Sequence, residues 1–233
     1  GDEVPNHDVV IIGWDDHYPR ENFQMELEGD GAFLCQNSWG SEFGDGGRFW
    51  VSYYDQYIGK TNLVYTGLEK PDDSEKIYQS DLCGWVGQMG YGREDAYGAN
   101  VYQTEVQETL HGAGFYATGE HTSYEIYVAR DLEHNKGFQK RQLMAKGEVR
   151  YSGYYTVKWD DGIELEPGER FAVILYVKTL GAVHPLAIEY RADDATSMAD
   201  ISDGEGYISA GGAVWERAEE NYQCNLCLKA RSE

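Results

Sequence analysis

The hydrophobic positions of this chain come in short runs, not in long helical stripes. Val9-Val10-Ile11-Ile12 is an unbroken apolar run, the pattern of a strand buried on both faces. The polar stretch from Asp15 to Asn22, with Pro19 inside it, reads as a loop, and Ala32-Phe33-Leu34-Cys35 as a second short strand. Gly40, Gly44, Gly46 and Gly47 then punctuate a turn-rich stretch that leads into Arg48–Tyr54, a third strand.

A change of texture follows. Glu69-Lys70-Pro71-Asp72-Asp73-Ser74-Glu75-Lys76 is charged, holds a proline and has no apolar residue, so it reads as a linker. We place one domain at 1–70, a linker at 71–76 and a second domain at 77–233. In the second, Tyr124, Ile126 and Val128 alternate onto one face of a strand. The turn signal Glu166-Pro167-Gly168-Glu169 precedes a strand with Phe171, Val173, Leu175 and Val177 along one side. Tyr207–Ser209 and Val214–Glu216 flank Ala210-Gly211-Gly212 as a hairpin. A short, weakly amphipathic helix is expected around Gln139–Lys146. About eight strands with Gly-rich turns predict a mostly β fold, a β-sandwich of the jelly-roll kind.

Composition narrows the function classes. The 233 residues carry 41 acidic against 19 basic side chains, a formal charge of -22, which argues against nucleic acid or an anionic membrane as partner. No run approaches the length of a membrane span. Four cysteines are too few and too scattered for a disulfide scaffold. Cys224 and Cys227 have the spacing of a zinc or redox pair but lack a second ligand pair or a following helix, so core packing is the better reading. No metal and no cofactor is expected.

Two stretches carry chemistry. Asn6-His7-Asp8-Val9-Val10-Ile11-Ile12-Gly13-Trp14 places a histidine before an apolar strand, and Gln36-Asn37-Ser38-Trp39-Gly40 opens a Gly-rich run into an aromatic strand. Together they resemble the C-terminal half of papain-family cysteine peptidases, over roughly residues 5 to 66. The resemblance implies a partial papain-like β-barrel lobe in which His7 is the base for a thiol nucleophile and Asn37 holds its imidazole. Trp39 would cover that hydrogen bond from water. The chemistry is coherent, because a thiol attacks as its thiolate and a neutral amide can orient the imidazole without drawing off the proton. Asp8 stands where the family favours a small apolar residue, Phe43 where it favours Trp, and Arg48 where it favours Tyr.

The family's nucleophile lies ~130–150 residues before its histidine. Only six residues precede His7, so the nucleophile and its half of the domain are expected upstream of this chain. Cys35 has apolar neighbours and no base of its own, and Cys83 lies beyond the linker, so neither is expected to replace it. The chain alone is therefore expected to be inactive, and to self-associate or to carry the missing N-terminal half of the peptidase domain as a partner.

The region from Ile77 onward resembles the lectin-like β-sandwich appended to some bacterial papain-like peptidases. The resemblance is carried by Asp81-Leu82-Cys83-Gly84-Trp85, Gly153–Val157, Glu166–Val173, Gly206–Ser209 with Trp215, and Asn225–Ala230. It implies sugar binding, for which Trp85, Tyr91, Trp159 and Trp215 are candidate stacking platforms, although core or edge packing is the commoner role for each. Asp160-Asp161 and Asp193-Asp194 lack the spaced ligands of a calcium loop and read as solvated turns. The expected whole is an extracellular or cell-surface cysteine endopeptidase acting on peptide or protein, with glycan as a further partner. The alternatives are a surface glycan- or protein-binding module and an inactive homologue.

Overall fold

The computed structural model describes residues 7–60, 62–70, 72–130, 132 and 134–233; Pro71 of the expected linker lies outside them. Sixteen strands are found among the described residues. In chain order they are Val10–Asp15 (β1), Ala32–Gln36 (β2), Arg48–Ser52 (β3), Lys76–Tyr78 (β4), Gly87–Met89 (β5), Asp95–Gln103 (β6), Glu108–Ala117 (β7) and Thr122–Arg130 (β8). The rest are Gln142–Val149 (β9), Gly153–Leu165 (β10), Arg170–Thr179 (β11), Leu186–Glu189 (β12), Gly206–Ser209 (β13), Glu216–Arg217 (β14), Asn225–Leu226 (β15) and Leu228–Ser232 (β16). The α-helix Ala218–Tyr222 (α1) is a single short turn. All strand pairs are antiparallel. The chain is mostly β, and it divides into two compact units, Gly1–Leu68 and Glu69–Glu233.

The first unit holds one three-stranded sheet, β1-β2-β3. Its β1 departs from expectation: Val10 is 61% exposed, its neighbour Ile11 on the other face 38% and Ile12 48%, so the apolar run is open on both faces. The sheet pairs β1 along one edge only, and its apolar side chains stay exposed among the described residues of this unit. An apolar run reports how a strand wants to be buried, not whether its cover belongs to the same polypeptide.

The second unit is a sandwich. A four-stranded sheet (β10-β7-β16-β4) and a three-stranded one (β15-β12-β5) pack onto one face of a six-stranded sheet (β14-β13-β6-β11-β8-β9). Phe171, Val173, Leu175 and Val177 of β11 face Leu110, Phe115 and Leu228 across the main core. Ala172 and Ile174 point the other way, into a second cluster with Phe138, Tyr207 and Trp215, so central β11 is buried on both faces. The expected hairpin is present as β13 paired with β14. The expected helix at Gln139–Lys146 is not: a 3-10 turn ends at Lys140 and β9 begins at Gln142, paired along β8. Cross-strand pairing with β8 overrides a weak helical periodicity there. Asp160 and Asp161 also lie within a strand, at the bulge between Lys158 and Ile163 of β10, not in a turn.

Glu108 closes one end of the sandwich. Its buried carboxylate accepts from Lys76 Nζ at 3.0 Å, Tyr78 Oη at 2.8 Å and Ser232 Oγ at 2.6 Å, joining β7 to β4 and β16. Burial alone would raise its pKa, but the bonds from Ser232, Lys76 and Tyr78 outweigh burial and hold the carboxyl below the usual range. A carboxyl with a lowered folded pKa stabilises the fold above its unfolded pKa of about 4.3, and the gain disappears as pH falls through the lower folded value. Glu108→Gln is therefore expected to lower the melting temperature near pH 7 and to lose most of that effect near pH 2, read by calorimetry at both. An equal loss at both would assign the residue a role in shape and not in charge.

Candidate functional site

The first unit brings His7 and Asn37 together through the β1/β2 ladder. Val10 pairs with Gln36, the last residue of β2, so the segment entering β1 runs beside the one leaving β2. His7 Nε2 lies 2.9 Å from Asn37 Oδ1. An amide oxygen can only accept, so Nε2 carries the proton in this bond and Nδ1 keeps its lone pair for another group.

Asn37 is fixed on several sides. Its backbone N–H donates to Gly47 O at 2.9 Å, its carbonyl accepts from Gln36 Nε2 at 3.1 Å, and Oδ1 also accepts from Ser38 N–H at 2.8 Å. Gln36 Nε2 donates to Gly47 O as well, at 2.9 Å. The return loop needs a glycine here, because Gly47 has a φ of +87° and a Cβ would stand 2.6 Å from Gln36 Nε2. Asn37 is buried, whereas His7 is exposed and so open to a reacting group. Trp39 lies with its ring centroid 4.9 Å from the imidazole, tilted 34°, while remaining largely exposed itself. Phe43 meets Trp39 edge-on at 5.0 Å and Phe49 of β3 at 5.6 Å. The Phe at 43 thus props the tryptophan. Asp8 is exposed.

The thiols are poorly placed to be nucleophiles. Cys35 is fully buried with its pKa raised by that burial, and its polar contact is the Phe33 carbonyl at 3.9 Å. Cys83 is exposed, and desolvation followed by the Glu189 charge raises its pKa. Cys224 and Cys227 are buried; burial lifts Cys224 to about 12 and Cys227 higher still. Among the described residues no group of three or more His, Cys, Asp or Glu is placed to hold a metal ion.

The three tryptophans expected as sugar platforms end up apart from one another. Trp215 is buried against Phe138, at 4.9 Å, and Tyr97, at 6.2 Å, so its ring has no open face to stack on; burial in the second cluster excludes it as a platform. Trp159 packs on the main core and donates from Nε1 to Leu110 O at 3.1 Å, a structural placement. Trp85 is half-buried beside Tyr116 at 5.9 Å. Asp193 caps a 3-10 turn, accepting from Ala195 and Thr196 N–H, which occupies the carboxylate. Tyr97 and Tyr176 pair across β6 and β11 on the outer face of the large sheet, 4.8 Å apart, with the Arg141 guanidinium 5.3 Å from the Tyr97 ring. Only the strand register brings these two together, so neither stood out in sequence.

Comparison with known proteins bears on the second part. A family model described as the lectin-like domain matches residues 77–232. A solved structure of the clostridial cysteine protease Cwp84 after propeptide cleavage superposes with a TM-score of 0.77 at 27% identity, covering 97% of this chain and 57% of that one. A second, of the cysteine protease and lectin-like domains of Cwp84, a surface layer associated protein of Clostridium difficile, gives 0.74 at 26%, covering 97% and 51%. The chain thus spans little more than half the length of these structures. No curated protein gives a significant match.

Proposed function

The chain belongs to the lectin-like domain family, and from that premise we propose that it is the part of a papain-like cysteine peptidase that carries the histidine base, its asparagine partner and an accessory sandwich. The observation that carries the reading is the His7 Nε2–Asn37 Oδ1 contact of 2.9 Å, which takes one ring nitrogen and leaves the chemistry at a thiol to the other. In this role His7 takes the proton of a thiol and later returns one to the leaving amine, and Asn37 keeps the ring turned toward sulfur. The reacting thiol belongs to polypeptide outside this chain, since each thiol within it is buried or has its pKa raised.

The poor core of the first unit supports a missing companion. Among its described residues the buried apolar side chains are Ala32 and Cys35, far less than a stable domain of this size requires. The Cys-bearing half of a peptidase domain would cover β1 and complete the site. The substrate class is peptide or protein, and the setting is the cell surface, as the surface-layer association of the Cwp84 protease suggests. A second reading, a binding module without peptidase chemistry, draws on the family match, which covers the sandwich and stops short of His7.

The test is covalent labelling. An epoxide cysteine-peptidase probe is expected to leave Cys35 and Cys83 of this chain unmodified by intact-mass spectrometry. In its natural reading frame, with whatever polypeptide precedes Gly1, the protein is expected to be labelled at one cysteine before His7, and His7→Ala should abolish that labelling. Modification of Cys35 or Cys83, or upstream labelling that survives His7→Ala, would overturn the reading.

A further inference from the structure

We propose that Glu189, Asn225 and the main-chain oxygens of Ser80 and Asp200 form a calcium site that pins the loop between β12 and β13 to the rest of the sandwich. It is independent of His7 and Asn37. The site is read from a surplus of hydrogen-bond acceptors. Asn225 of β15 is fully buried, and its Nδ2 lies 2.7 Å from Glu189 Oε2 and 2.8 Å from both Ser80 O and Asp200 O. An NH2 group has two hydrogens, so one of these three acceptors goes without. On the other side of the amide, Asn225 Oδ1 is buried and accepts from nothing among the described residues. It shares its surroundings with another acceptor, because a Cβ added to Gly204 would stand 3.0 Å from Asn225 Oδ1 and 2.6 Å from Glu219 Oε1. Buried oxygens in this state cost free energy unless a positive group joins them.

A half-turn of the Asn225 amide resolves both faults together. It puts the NH2 on the side of Glu219, whose Oε2 has no hydrogen bond, and brings Oδ1 in among Ser80 O, Asp200 O and Glu189 Oε2. Four oxygens then converge with no proton between them, an arrangement that holds only around a cation. Carbonyl, amide and carboxylate oxygens without nitrogen or sulfur are the ligands of a hard ion. An irregular set of this kind suits calcium better than magnesium, which demands a near-ideal octahedron and gives up its waters reluctantly. Glu189 is fully buried, with Oε1 fixed by the Cys83 N–H, so its carboxylate is aimed before an ion arrives. Asp203 stands at the rim, where burial first, and then the charges of Asp200 and Glu189, push its carboxyl above the usual range. A bound dication relieves that repulsion and gains Asp203 as a second carboxylate. Ser80 and Asn225 are 145 positions apart, which is why no spacing in the sequence announced the site.

The test strips the full chain with EDTA, confirms the stripping by elemental analysis, and melts it with and without about 10 mM calcium or magnesium. Extracellular modules hold calcium with a Kd of about 10⁻⁴–10⁻³ M, for which this addition should raise the melting temperature by about 3 °C or more. Magnesium should raise it by less than about 1 °C. Glu189→Gln keeps an acceptor for Asn225 but loses the charge, and should abolish the calcium response. Asp203→Asn, at the exposed rim, should weaken calcium binding at least roughly threefold by titration calorimetry, and it serves where Glu189→Gln fails to fold. In NMR spectra the side-chain amide of Asn225 should shift on calcium addition, the sign of its half-turn. His7→Ala should leave the calcium response unchanged, so failure of the peptidase reading does not touch this one. No rise with calcium would mean that water fills the surplus, and would overturn the site. An equal rise with magnesium, or a calcium response indifferent to both Glu189→Gln and Asp203→Asn, would overturn it as well.

Discussion

Asp81→Ala is expected to destabilise the sandwich by about 3–5 kcal/mol, as removal of one partner of a buried ion pair does. At roughly 2–4 °C per kcal/mol for a unit of this size, the melting transition should fall by roughly 6–20 °C. The Asp81 side chain is fully enclosed and lies 2.5 Å from Lys229 Nζ, itself only 11% exposed. Without the carboxylate, the ammonium is left in a dry environment beside the buried Cys227. The pair joins the segment before β5 to β16, near Glu189, which accepts from Cys83 N–H and from Asn225 Nδ2 at 2.7 Å. Asn225 Nδ2 also donates to Ser80 O and Asp200 O, both at 2.8 Å. Replacing both members, as in Asp81→Leu with Lys229→Met, should recover much of the loss, because the cost lies in the unpaired charge and not in the missing bond. Glu105→Ala, at an exposed carboxylate, is the control and should leave the melting temperature nearly unchanged. A loss below about 1 kcal/mol for Asp81→Ala would mean that water reaches Lys229 and that the pair is not buried in solution.

The sandwich was the more legible part because its apolar partners lie in the same chain. The alternation of Phe171, Val173, Leu175 and Val177 reports one face of β11 directly, and these residues form the main core. Ala172 and Ile174 between them already signal a strand buried on both sides, which Phe138 and Trp215 complete. Helical periodicity misled around Leu143 and Met144, where adjacent apolar residues belong to opposite faces of β9. The tryptophans misled for another reason. Trp215 is conspicuous by size, and size is what draws it into the second cluster. Tyr97 and Tyr176 lie 79 positions apart and meet only through the β6/β11 register, which local pattern cannot supply. In the first unit the motif residues could be picked out, but the exposure of β1 could not, because an apolar strand reads the same whether or not its cover is present.

On the proposed peptidase reading, His7→Ala in the protein joined to its Cys-bearing half is expected to lower kcat/KM by about 10²–10⁴, the usual worth of a positioned acid–base group, measured on a fluorogenic peptide. Asn37→Ala should cost less, about 10²-fold, and mainly in kcat, since it leaves the imidazole in place but free to rotate. The substitution also removes the acceptor of Ser38 N–H, so a loss of order in the loop after β2 must be separated from a loss of orientation. Asn37→Asp separates them. It keeps an acceptor for both His7 and Ser38 N–H, but its negative charge favours the protonated imidazole. If Asn37 orients a base, Asn37→Asp should retain more activity than Asn37→Ala at alkaline pH. Its acid limb should move upward, because a more basic His7 must lose its proton at higher pH before it can accept one from the free thiol. A merely structural Asn37 would give equal losses in both variants and an unmoved pH profile. Trp39→Ala is a graded companion: with a ring only 4.9 Å from the imidazole, its loss lets water compete for the His7–Asn37 bond without removing either partner. Its effect should therefore fall below that of Asn37→Ala, and the reverse order would make the tryptophan a substrate contact and not a shield.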